Sequence, residues 1–254
     1  MQLNPSQLDF KPSMLVKSFG LVLAIWIAFW ADLEFGLNMR TFGILPESAV
    51  GLRGVIFAPF VHGDLGHLTN NSISLFALLL MLFYFYERLA WQVLFWGLLG
   101  SGIATWVIGR PAFHIGASGI VYMLVSFLFF KGIITKYYRL IALSLVVVFL
   151  YGGLLWYMFE IDPKISWEGH LSGFFVGFLL ALVLRVHIEK EVKYAWERED
   201  FRPEDDPFIS QFDEDGNFIE TPKEPIDSET IETEDSSRVQ IRYVFKKNPP
   251  KTED

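Results

Sequence analysis

Six long apolar runs, near residues 15–35, 67–86, 91–108, 118–134, 140–159 and 169–186, leave this chain few ways to fold. Each is close to the roughly 17–25 residues that a helix needs to cross the hydrocarbon of a bilayer. Inside that hydrocarbon every backbone N–H and C=O must be paired within the protein, and a single helix achieves this alone. The runs therefore predict an all-α membrane protein with six transmembrane helices. The composition agrees: 52% of the 254 residues are hydrophobic and 17% are aromatic. Cysteine is absent, which excludes a disulfide framework, a thiolate nucleophile and a Cys-based metal site.

Charge divides the chain. Through residue 188 there are 11 Lys/Arg against 9 Asp/Glu, and from residue 189 onward 10 against 20. The predicted organisation is an N-terminal cytoplasmic segment (1–14), a membrane domain (15–188) and an acidic cytoplasmic tail (189–254). The tail's low hydrophobicity and high acidity predict that it is mostly disordered from about residue 197. The membrane domain is mildly basic but has no basic stripe to track phosphates, so nucleic acid is not an expected partner and the lipid bilayer is. No cleavable signal pattern precedes the first apolar run, which is long enough to be an anchor itself. Lys11 and Lys17, then Lys131, Lys136 and Arg139, then Arg185, Lys190 and Lys193 fall on one side of a six-span arrangement. The bias of basic residues toward the cytoplasm then places both termini there.

That topology gathers the polar residues. Ser118 opens the fourth run within Ile115-Gly116-Ala117-Ser118-Gly119, His170 opens the sixth, and His67, Thr69, Asn70 and Asn71 open the second. All three positions lie at the outer ends of alternate spans. Polar groups at such depth are tolerated around a protein-lined cavity that water can reach, and they mark functional sites. A serine beside a histidine is also the minimum pair that makes a hydroxyl nucleophilic.

Taken singly, each residue has a plainer reading. A serine among glycines is helix-packing filler, a histidine at a span end is interfacial, and His67 with Asn71, four apart on one helix face, is a helix cap. Their coincidence on one membrane face favours chemistry. The stripe Gly169-x-x-x-Gly173-x-x-x-Gly177 adds a physical means, because glycines on one face let the sixth span lie close against a neighbour. Packed on the fourth span, it brings His170 within reach of Ser118.

These motifs resemble those of the rhomboid intramembrane serine proteases. Gly116-Ala117-Ser118-Gly119 matches the family's G-x-S-G, and His67-Leu68-Thr69-Asn70-Asn71 matches its H-x-x-x-N. Gly169-His170-Leu171-Ser172-Gly173 with Gly177 matches its small-His-x-x-Gly-x-x-x-Gly. The order and spacing are similar to the six-span bacterial form over roughly residues 10–188. The resemblance implies an intramembrane endopeptidase that cuts single-span or multi-span membrane proteins near the outer face, in a bacterial inner membrane. It implies Ser118 as nucleophile and His170 as general base, a dyad with no third carboxylate and no metal or other cofactor. It further implies an oxyanion hole of His67, Asn71 and the Ser118 amide, Tyr122 packed on the His170 ring, and Gly116 supporting the turn. His62 matches a histidine that supports the first loop, and Glu87-Arg88 a structural pair at the cytoplasmic end. The family's Trp-Arg pair in that loop is missing, with Arg40 and Arg53 as loose stand-ins.

Rival readings are weaker. A non-catalytic rhomboid-like protein that binds membrane clients is expected to lose the serine or the histidine, and both are present. A transporter needs a polar path across the bilayer, whereas the inner halves of the second, fourth and sixth runs are apolar. His62-x-Asp64-x-x-His67 suggests a metal cluster, but no His-Glu-x-x-His accompanies it. Glu168 is expected to be a solvated charge at a loop mouth rather than a triad member, since residues two apart do not share a helix face. His114 reads as polar lining, and Asp213–Asn217 as a solvated turn with Phe218 where a calcium loop needs glycine. Residues 208–212 and 239–245 are candidate docking segments.

Overall fold

The computed structural model describes residues 2–3, 9–160 and 165–188, and further on residues 194, 196, 199–202, 206–213 and 215–219. Its first compact unit, Met1–Val192, is helical. Helix α1 covers Pro12–Phe35, α2 Gly54–Phe57, α3 Leu65–Ile108, α4 Ser118–Thr135, α5 Tyr138–Tyr151 and α6 Trp167–Val183. A two-residue strand, Gln2–Leu3, pairs in parallel with His187–Ile188.

Among the described residues, four helical stretches are long and apolar enough to cross a membrane: Pro12–Phe35, Leu65–Ile108, Ser118–Thr135 and Tyr138–Met158, the last being α5 with the tight turn after it. Two features separate this from the six sequence runs. The second and third runs are joined in α3, which is broken by the non-helical backbone of Tyr86 (φ −133°, ψ 36°). Unbroken, its 44 residues would measure about 66 Å, over twice a hydrocarbon thickness of about 30 Å. The sixth run forms an α6 of 17 residues, at the lower limit of the length that crosses a bilayer.

The helix ends follow from local chemistry. Pro12 opens α1, where a missing N–H costs nothing, and Gly36 closes it in the left-handed conformation (φ 59°). Asp64 caps α3 by accepting the His67 N–H at 2.8 Å, and Ser166 caps α6 by accepting that of Gly169 at 3.3 Å. At the far end of α6, Lys131 of α4 donates to the carbonyls of Ala181 and Leu184, placing a cation where the helix dipole favours one.

Helix α4 is the centre of the bundle. Val121 through Leu128 are buried without interruption, as expected of a helix apolar on every side. It contacts α3, α5 and α6, most extensively α6. A Cβ at Gly173 would press into the Gly119 carbonyl, and one at Gly177 would meet the Met123 carbonyl and the Ser126 side chain. The glycine stripe therefore brings two backbones into direct contact. By contrast α5 turns Leu145 and Phe149 outward, the latter 88% exposed, as a lipid-facing surface requires.

The first loop is held by residues other than the family's Trp-Arg pair. Trp106 of α3 donates its indole N–H to the Ser48 carbonyl at 2.9 Å. Arg53 donates to the Thr41 carbonyl at 2.9 Å and lies over the Phe42 ring. Ile44 exchanges backbone hydrogen bonds with His114 in the loop before α4. Arg53 thus takes part in the bracing.

The second unit, Lys193–Asp254, is described only in pieces. Phe208, Phe212 and Phe218 pack edge to face, and Asp213 accepts the N–H groups of Asp215 and Asn217 in an exposed turn. Residues 239–245 and most of the segment expected to be disordered lie outside the described residues.

Candidate active site

Ser118 is the first residue of α4, delivered by a loop whose shape depends on Gly116. That glycine has φ 103°, a region open to residues without a Cβ. A Cβ there would also lie 2.6 Å from the His67 ring and 3.4 Å from the Asn71 amide nitrogen. The Gly116 N–H is tied to the Ala58 carbonyl at 2.9 Å, so the first loop fixes the turn from behind. The first amides of a helix lack intrahelical acceptors, and the Ser118 amide, at the start of α4, is one of them.

The Ser118 Oγ lies 3.0 Å from Nε2 of His170, across the close contact of α4 with α6. The other ring nitrogen, Nδ1, is 2.8 Å from the Tyr157 carbonyl oxygen. A carbonyl can only accept, so Nδ1 carries the hydrogen and Nε2 is left to accept the serine proton. Among the described residues no carboxylate hydrogen-bonds His170. The Tyr122 ring is stacked on the imidazole, with centroids 4.1 Å apart and planes 8° from parallel. Its hydroxyl donates to the Leu154 carbonyl at 2.8 Å, which fixes the ring.

Asn71 and His67 lie on the face of α3 turned to Gly116. Asn71 donates from Nδ2 to Nε2 of His62 at 3.1 Å. His62 is in the loop before α3, with its ring 5.0 Å from that of His67. Burial, reinforced by His67 nearby, pushes its pKa down to about 4, so it is neutral at pH 7 and able to accept. Asp64, between the two histidines, is engaged in capping α3. Beside Ser118 is a cavity of about 40 Å³ whose polar lining includes Ser101, Thr105, His114 and Ser166. A cavity of that size has room for a water molecule beside these polar groups.

One sequence expectation is overturned. Glu168 is not a solvated charge: it is 1% exposed. Its Oε1 accepts the Arg110 N–H at 3.2 Å and lies 3.5 Å from Nη1 of the same residue, while its Oε2 is 4.0 Å from Nδ1 of His114. Glu168 does not touch His170, because side chains two apart diverge on a helix. It turns instead toward the loop before α4. His114 is lining of a structured kind, bonded to Ser166 Oγ at 2.6 Å and to the Arg110 carbonyl at 3.0 Å. Sequence reasoning missed Tyr157 because it acts through a backbone carbonyl, which leaves no residue-type signal. It missed Arg110 and Glu168 as a pair, although two opposite charges at neighbouring loop mouths were a usable hint.

A helical bundle with lipid-facing apolar helices and polar side chains gathered around one serine defines an integral membrane protein with a built site. A family model described as the rhomboid domain matches residues 50–187, more than half of the chain. The chain belongs to the rhomboid family. Members of that family are in general serine intramembrane proteases that act on membrane-protein substrates within the bilayer. Proteins of Mycobacterium bovis and Mycobacterium tuberculosis are each 35% identical over 173 residues, 64% of this chain and 72% of theirs. A Mycobacterium leprae protein is 33% identical over 143 residues, 52% of this chain and 56% of its own. All three are described as uncharacterised.

Proposed function

We propose that this protein is an intramembrane serine endopeptidase that cuts transmembrane segments of other membrane proteins near the outer face of the bilayer. The observation that carries the reading is the 3.0 Å contact of Ser118 Oγ with His170 Nε2, its tautomer set by the Tyr157 carbonyl. In this mechanism His170 takes the Ser118 proton as Oγ attacks a peptide carbonyl, then returns it to the leaving amine. The tetrahedral oxyanion is met by the Ser118 amide, Asn71 and His67, which supply hydrogen bonds without net charge in a low-dielectric site. Water from the cavity beside Ser118 then hydrolyses the acyl-enzyme. Six crossings are counted by reading α3 as two spans broken at Tyr86 and α6 as a short one; an even count leaves both termini on one side, and the bias of Lys11, Lys17, Lys131, Lys136 and Arg139 supports the cytoplasmic side of a bacterial inner membrane. The domain limits follow: residues 15–188 form the membrane domain and 189–254 an acidic cytoplasmic tail.

A fluorophosphonate probe tests the reading directly. It should label detergent-solubilised protein at Ser118, and His170→Ala should abolish labelling, because serine without an adjacent base is a weak nucleophile. Labelling that survives Ser118→Ala would refute the assignment.

A further inference from the structure

Glu168 is a buried carboxylate two residues from His170, and the Ser–His pair does not account for it. Removing a charge from water costs several kcal/mol unless partners compensate, and an apolar side chain of similar size often serves stability as well. The partners here all belong to one segment. Arg110 presents its backbone N–H and Nη1 to Glu168 Oε1, and its Nη2 donates to the Ile165 carbonyl at 2.9 Å. His114, in the same loop, donates from Nε2 to the Arg110 carbonyl at 3.0 Å, and its Nδ1 lies 2.6 Å from Ser166 Oγ. Ser166 in turn caps α6. His114 also exchanges two backbone bonds with Ile44, of 2.8 and 2.9 Å.

We propose that Glu168 is a positioning residue for the hydrolysis proposed above: through Arg110 and His114 it locks residues 109–117 against the first turn of α6 and so sets the distance between Ser118 and His170. The inference rests on that reading of the site. The two members of the pair lie on different elements, Ser118 after the loop and His170 after Glu168, and these side chains cross-link the elements within a few residues of both. Among the described residues the Glu168 Oε2 has no hydrogen-bond partner, and it lies 4.0 Å from His114 Nδ1. An amide in place of the carboxylate keeps Oε1 as acceptor and presents an N–H₂ to that side of the ring.

Full-length protein and a model transmembrane substrate in liposomes give the test. Glu168→Ala and Arg110→Ala should each lower kcat on the order of tenfold to a hundredfold, the cost of misplacing reacting groups by an ångström or less. KM should stay within about twofold, since substrate contacts are untouched. Fluorophosphonate labelling should slow by the same factor as kcat. The double variant should be no slower than the slower single one, because both break one link. Glu168→Gln should remain within severalfold of wild type. Wild-type kcat per folded molecule in the alanine variants, a rise in KM alone, or additive losses would each overturn the proposal. Should Glu168→Ala fail to fold, Arg110→Ala carries the same test, its side chain being 30% exposed. Ser118→Ala measured alongside separates the two readings. Cleavage that persists there refutes the protease, whereas Ser118-dependent cleavage indifferent to Glu168→Ala and Arg110→Ala refutes the positioning role alone.

Discussion

Adding one methyl group at Gly173 should disable hydrolysis without touching any residue that contacts substrate. An alanine Cβ there would lie 3.0 Å from the Gly119 carbonyl carbon and 3.3 Å from its Cα, with the carbonyl oxygen nearer still. Those are backbone atoms in the first turn of α4, which cannot rotate aside as a side-chain tip can. The helices must part by about 1 Å, and misplacement of that size costs on the order of a hundredfold in rate. The displacement falls directly on the dyad, since Gly119 follows Ser118 and Gly173 is one helical turn beyond His170. The 3.0 Å Ser118–His170 contact then opens past hydrogen-bonding reach. A hundredfold loss corresponds to about 2.7 kcal/mol of transition-state stabilisation. The assay is kcat/KM for a model transmembrane substrate in liposomes, with helical content followed by circular dichroism. Gly20→Ala is the control: nothing lies within 4 Å of a Cβ there, and alanine is the better helix former. Gly169→Ala should fall between the two, because its nearest neighbour, Ser166 Oγ at 2.9 Å, is a movable side-chain end. A folded Gly173→Ala with wild-type turnover would refute the view that backbone contact sets the dyad distance.

Asn71→Ala should lower kcat by roughly 3–4 kcal/mol of transition-state stabilisation with little change in KM, the usual cost of one oxyanion donor; steady-state cleavage kinetics check this, and equal losses in kcat and 1/KM would count against the role. His62, with its pKa lowered from 6.5 to about 4, takes up its proton later in the folded than in the unfolded protein. Its contribution to stability is therefore complete above about pH 6.5 and is lost as pH falls toward 4, through the folded pKa. Thermal unfolding measured across that window should show the decline, and His62→Gln should flatten it; an unchanged slope in the variant would assign the decline to other groups.

The bracing of the first loop shows where residue patterns stop informing. The loop carries no tryptophan, yet Trp106 supports it from α3, 58 residues away from Ser48. Arg53 was visible as a basic residue in the loop, but its seat over Phe42 and its bond to Thr41 depend on a fold of the loop that no periodicity encodes. Glu168 is a sharper case. Helix geometry correctly separated it from His170, and the inference that it was therefore solvated failed because solvation is decided by what packs on top. Here that is the loop holding Arg110 and His114.

The sequence alone determined the membrane-spanning character, since runs of about twenty apolar residues have essentially one way to satisfy their backbone in lipid. It also determined which residues to compare, because the Gly116–Gly119, His67–Asn71 and Gly169–Gly177 motifs are local patterns whose spacing survives in any fold. Tertiary structure decided everything that depends on two elements at once. It set the 3.0 Å between Ser118 and His170, supplied the Tyr157 carbonyl as the partner of Nδ1, and buried Glu168 against Arg110. The physical reason is that propensity and hydropathy act over one or two helical turns, whereas these contacts join residues 13 to 58 apart along the chain.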